Sequence, residues 1–89
     1  MSFTVTYSSL RDPKSLKRIG KSDLHAIMEA IEEKLTVAPD VFGKPLRHSM
    51  RGYRSLRVVD FRVLFRIDGS IVRIACIGHR STIYRDAQE

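Results

Sequence analysis

From Ser22 to Leu35 the apolar residues of this chain fall at helical spacing, and from Tyr53 onward they fall at every second position. Leu24, Ile27, Met28, Ile31 and Leu35 make one stripe of a helix, with Glu29, Glu32 and Glu33 on the other side. A period of two instead sends alternate side chains to opposite faces of a strand. A chain with one strong amphipathic helix followed by consecutive strands must bury the helical stripe against a sheet, so the fold class is α+β.

Ser22 is placed to cap this helix, Asp23 sits in its first turn, and Val37-Ala38-Pro39 ends it. A shorter helix is predicted from Leu10 to Ile19, with Pro13 near its first turn. Phe3, Val5 and Tyr7 predict a first strand with one buried face. Residues 39–52, punctuated by Pro39, Gly43, Pro45 and Gly52, read as an irregular connection. Beyond them Phe61, Val63, Phe65 and Ile67 share one face, and Arg62, Leu64 and Arg66 the other. Asp68-Gly69 predicts a tight primed hairpin with positive φ at both central positions. The β-branched run from Ser70 to Ile77 predicts an interior strand.

The expected architecture is β-α-α-β-β-β with a short C-terminal tail: two N-terminal helices packed on one face of a small, mainly antiparallel four-stranded sheet. At 89 residues it forms one domain, 1–89. The other sheet face is left for function.

Charge indicates which kind of function. Residues 44–89 hold ten Lys and Arg against four acids, whereas residues 1–43 hold six of each sign, so the net charge of +6 belongs to the strand-rich half. A sequence pI near 10.0 favours an anionic partner: nucleic acid, an acidic protein or an anionic membrane surface. No basic leader with an apolar run is found, so neither a signal peptide nor a membrane span is expected. The single Cys76 cannot form an internal disulfide and fits a reducing cytoplasm.

Arg57, Arg62 and Arg80 come from three neighbouring stretches of the sheet, and alternation gives Arg57 and Arg62 a common exposed face, with Arg66 farther along. Tyr84 follows the last strand in this basic neighbourhood. Guanidinium groups bind phosphate oxygens bidentately, and cations around a phenol favour its phenolate, which can take a proton. The combination suits a phosphodiester, and among phosphodiesters it points to RNA. Five further cations, Lys44, Arg47, Arg51, Arg54 and Arg66, are expected to bind the RNA.

Alternation turns His79 away from Arg80, toward the helices or an edge, and Cys76 reads as a buried thiol. His25 and His48 lack partners at ligand spacing, and Asp60 and Asp68 both fall at turns. A metal site, and two-metal nuclease chemistry with it, is not expected. No cofactor is expected either.

Gly43-Lys44-Pro45-Leu46-Arg47, the run from Ser55 to Asp68, Gly78-His79-Arg80 and Ile83-Tyr84-Arg85, with Glu33-Lys34-Leu35 and Pro39 before them, resemble the RelE/ParE superfamily of bacterial and archaeal toxins. The RelE branch implies a ribosome-dependent, metal-independent endoribonuclease that cuts messenger RNA by attack of the ribose 2′-hydroxyl. The family's basic strand positions match Arg57 and Arg62, its late arginine Arg80, and its C-terminal tyrosine Tyr84, the candidate base. The resemblance also implies a cytoplasmic protein in a hetero-oligomer with a cognate antitoxin. Two rivals share the fold: a ParE-like DNA gyrase inhibitor and a noncatalytic RNA-binding member.

The chain departs from that pattern twice. Where some RelE enzymes place two lysines on the second strand, it has Ser55 and Arg57, so one cation is missing unless Arg51 or Arg54 reaches in. Val59 replaces a common glycine before Asp60-Phe61-Arg62, which predicts a wider or differently shaped turn.

Overall fold

The computed structural model describes residues 2–88, with side chains through Arg85. Its elements are β1 (Thr4–Thr6), a 3-10 segment (Pro13–Arg18), α1 (Lys21–Ala30), a π-helical turn (Ile31–Leu35), α2 (Pro39–Phe42), β2 (Lys44–Pro45), a second 3-10 turn (His48–Met50), β3 (Arg54–Val58), β4 (Phe61–Asp68), β5 (Ile71–His79) and α3 (Ile83–Gln88). The sheet order is β1-β5-β4-β3-β2. β1 pairs with β5 in parallel, and the other neighbours pair antiparallel. The α+β class and the mainly antiparallel sheet are as expected, and β5 is interior. The sheet has five strands, not four, because Lys44 and Pro45 pair with Ser55 and Arg54 at the edge. That is an edge position, where a proline removes no needed donor.

The helical layer also differs from the reading. The first helix contracts to Pro13–Arg18, where Ser15 donates to the Asp12 carbonyl from both its amide (3.0 Å) and its hydroxyl (2.7 Å), closing a tight turn. Ser22 is not the cap of α1. That helix starts two residues earlier, after an extended Gly20 whose carbonyl accepts the Leu24 amide at 2.9 Å.

Ile27, Ile31 and Leu35 bury the helical stripe against Leu56, Val58, Val63, Phe65, Val72, Ile74 and Ile77. Gly43 is a consequence of this core: a Cβ there would collide with the Phe65 ring. The opposite sheet face carries a second, smaller cluster of Met50, Leu64, Ala75, Cys76 and Ile83, edged by Leu46 and Tyr53. It is therefore partly covered by the 46–53 loop and α3, and Arg57 and Arg62 lie on the same face beyond that cover.

Two local features set the open face. Leu64 pairs with Cys76 but Phe65 pairs with Ile74, so β5 has one extra residue, Ala75. A bulge of this kind exchanges the faces of everything beyond it. Ile77 thereby enters the main core opposite Val63, and Gly78 lies opposite Arg62 on the other face. The Ala75 carbonyl also accepts the Arg11 amide at 2.9 Å, tying the N-terminal segment to the sheet.

The two hairpins correct the turn expectations. Val58 pairs with Phe61, leaving a two-residue loop with Val59 at φ 56°, so the turn is tight and not wide. The cross-strand ladder imposes a left-handed backbone that a β-branched residue disfavours. In the second hairpin Asp68 is paired with Ile71, so the turn is Gly69-Ser70, and Gly69 takes the positive φ of 64° while Ser70 does not. Among the described residues no helix is long and apolar enough to cross a membrane.

Candidate functional site

β3 and β4 bring the first two arginines together by register, since Arg57 and Arg62 are direct cross-strand partners on the face away from α1. Opposite residues have Cβ atoms about 4.5–5.5 Å apart, and like charges so placed repel. Arg57 is exposed and Arg62 half-buried, with Arg62 Nη1 donating to the Phe61 carbonyl at 3.0 Å. Among the described residues neither forms an ion pair.

Arg80 is tied to the β3–β4 turn. Its amide donates to the Asp60 carbonyl at 2.8 Å, and its Nε lies 3.7 Å from Asp60 Oδ1. Both side chains are 58% exposed, so the ion pair holds the guanidinium loosely.

Tyr84 approaches from α3. Its neighbour Ile83 is buried in the second cluster, and the Tyr84 hydroxyl lies 3.2 Å from Ser55 Oγ, with Tyr84 itself 36% exposed. Ser55 precedes Arg57 by two residues, about 6.8 Å along a strand. The phenol oxygen and the Arg57 and Arg62 pair thus follow one another along β3, on the face remote from α1, and Arg80 is tied to the turn at the end of that strand.

The other expected RNA contacts are dispersed. Lys44 is the cross-strand partner of Ser55, which puts it on the same face as Tyr84. Arg47 and Arg51 are exposed on the loop over the second cluster. Arg54 lies elsewhere: it shares the helical face with Leu56 and donates to the Gly43 carbonyl at 3.1 Å and the Asp40 carbonyl at 2.8 Å. It holds α2 and does not reach the basic row. Arg66 is four residues from Arg62, about 13 Å along the strand. There it faces Arg73 and lies 6.0 Å from the centre of the Tyr53 ring.

His79 keeps the structural position that alternation assigns. Its Nδ1 accepts the Ser81 amide at 3.1 Å and meets Ser81 Oγ at 2.8 Å, and its ring stands edge-on to Phe61 at 5.6 Å. A cavity of about 670 Å³, lined in part by Arg11, Arg18, Phe61, His79 and Thr82, opens at this end of the sheet. It includes neither Arg57, Arg62 nor Tyr84; the basic row is an open surface, which suits a polymer better than an enclosed ligand. Sequence reasoning read Ser55 only as the place of a missing cation, although its parity with Arg57 puts it on the same face, and Asp60 only as a turn residue, whose contacts with Arg80 depend on that turn.

The model of the ParE toxin of type II toxin-antitoxin systems, parDE, matches residues 8–84. The chain belongs to the RelE/ParE family of type II toxins. Two relatives come from Mycobacterium tuberculosis. Toxin RelE is 35% identical over 83 residues, covering 91% of this chain and 82% of the relative. Toxin RelG is 33% identical over 87 residues, covering 96% and 99%. Among solved structures, the toxin-antitoxin complex RelBE2 of M. tuberculosis superimposes with a TM-score of 0.79 at 31% identity, over 90% of this RelE/ParE toxin and 100% of that chain. YafQ from E. coli, at 19% identity and a TM-score of 0.59, shares the fold.

Proposed function

We propose that this toxin is a metal-independent endoribonuclease that cuts messenger RNA on the ribosome, in the cytoplasm, and so stops translation. What supports the reading is that Arg57, Arg62 and the Tyr84 phenol share one sheet face, with Arg80 tied to the adjoining turn and the two facing arginines lacking an acidic partner among the described residues. Repulsion between facing cations is relieved by an anion held between them. In the mechanism Tyr84, as phenolate, removes the proton of a ribose 2′-hydroxyl. The 2′-oxygen attacks the adjacent phosphorus in line, the bond to the 5′-oxygen breaks, and that oxygen takes up a proton. The products are a 2′,3′-cyclic phosphate and a 5′-hydroxyl. Arg57 and Arg62 stabilise the charge on the phosphoryl oxygens, and Arg80 serves the same charge by hydrogen bonding, since a guanidinium does not give up its proton near neutrality.

The antitoxin is proposed as the partner because relatives such as RelBE2 and DinJ-YafQ were solved as toxin-antitoxin complexes. A second reading, a ParE-like gyrase inhibitor, is favoured by the description of the matching family model. Cell-free translation of a defined messenger separates the two: codon-positioned cleavage with a 2′,3′-cyclic end supports the nuclease, whereas whole RNA with blocked DNA supercoiling supports the inhibitor.

A further inference from the structure

We propose that Ser55 is the positioning residue of Tyr84, and that Lys44, across from Ser55 on β2, is the cation facing that phenol. The catalytic consequence rests on the nuclease reading; the contact itself does not.

Ser55 is 8% exposed and lies opposite the fully buried Leu64. A hydroxyl in such a place is unfavourable unless it is bonded. Its side-chain partner is the Tyr84 phenol, 29 residues later, at 3.2 Å. The six residues of α3 are too few for a helix to persist unaided, so packing must place it. Ile83 anchors it in the second cluster, and Gly78 permits the approach, since a Cβ there would lie 3.0 Å from Ile83 Cδ1. That anchor places the helix, and the Ser55 contact fixes where the phenol oxygen ends. A serine hydroxyl both donates and accepts. It therefore donates to the phenolate before proton transfer and accepts from the phenol afterwards, holding the ring through both states.

Register then supplies the charge. Lys44 pairs with Ser55, so their side chains leave the sheet on one face, with Cβ atoms about 4.5–5.5 Å apart. Lys44 is exposed, and its flexible four-carbon stem carries a hydrated ammonium that can face the phenol at little desolvation cost. Arg54 cannot do this from the helical face, where its guanidinium is held by two carbonyls.

The test uses the full chain with tyrosine rings labelled with carbon-13 at Cζ. Ser55→Ala should shift the Tyr84 resonance and leave those of Tyr7 and Tyr53 in place, and Ser55→Thr should restore it. In ribosome-dependent cleavage Ser55→Ala should lower kcat roughly threefold to tenfold at unchanged KM, the scale of one hydrogen bond, with recovery in the threonine variant. Lys44→Gln should lower kcat similarly and Lys44→Arg should retain it. An unmoved Tyr84 resonance, or one that threonine does not restore, overturns the contact. Wild-type kcat in Ser55→Ala or in Lys44→Gln overturns the role of that residue. Failure of the wild-type protein to cut RNA would remove the nuclease reading while the resonance arm still reports on the contact.

Discussion

Arg57 and Arg62 are cross-strand partners, an arrangement in which like charges repel, and Arg80 is paired with an exposed carboxylate, Asp60, a weak contact that a phosphate could replace. Arg80→Ala and Tyr84→Phe should each relieve growth inhibition at equal expression while leaving antitoxin binding intact. Cleavage in vitro should fall about a hundredfold to a thousandfold, as when one preorganised donor is lost. Full toxicity in both variants would remove the site assignment. Tyr7 makes a different residue-level case, because burial first and the Glu32 carboxylate second raise its pKa above 10.0. A phenol whose folded value is raised adds stability that is complete below the unfolded value and is lost as pH climbs through the folded one. Denaturant midpoints compared at about pH 8 and about pH 11 should therefore fall further in the wild-type protein than in Tyr7→Phe. Equal losses would show that the folded fold does not disfavour this phenolate.

At the scale of elements, the β3–β4 turn and the β5 bulge decide which side chains meet. The turn forces Val59 to φ 56° and aims the Asp60 carbonyl at Arg80, so strain sits beside the proposed site. Val59→Gly removes the steric penalty and should stabilise the protein by about 0.5–1 kcal/mol in equilibrium unfolding. A destabilised Val59→Gly would mean that the valine side chain contributes more than its backbone costs. Alternation from Phe61 to Ile67 was enough to assign both faces of β4, and those faces are observed. The same rule was incomplete for β5, because an inserted residue leaves no mark in a continuous apolar run such as Ile74-Ala75-Cys76-Ile77. The first helix was overestimated for a related reason: three apolar positions satisfy helical spacing even where side-chain bonds close a tighter turn.

For the molecule as a whole, the +6 charge carried by residues 44–89 should make RNA association salt-dependent. For a single-stranded RNA the slope of log affinity against log salt should shrink by roughly 0.7 for each phosphate contact removed, so Arg57→Ala and Arg62→Ala should each flatten it. Arg54→Ala, on the helical face, should leave it unchanged; a flattened slope there would place RNA on the wrong side of the sheet. Composition and hydrophobic period sufficed for the α+β class, the helix that covers the sheet, the basic half and the parity of Arg57 with Arg62. These depend on neighbours close in sequence. Folding alone decided that Lys44 faces Ser55, that Ser55 meets Tyr84, that Arg54 turns to the helices and that Gly78 faces Arg62. Each of those relations spans strands whose register is set by long-range pairing and a one-residue bulge, and a local repeat carries no information about either.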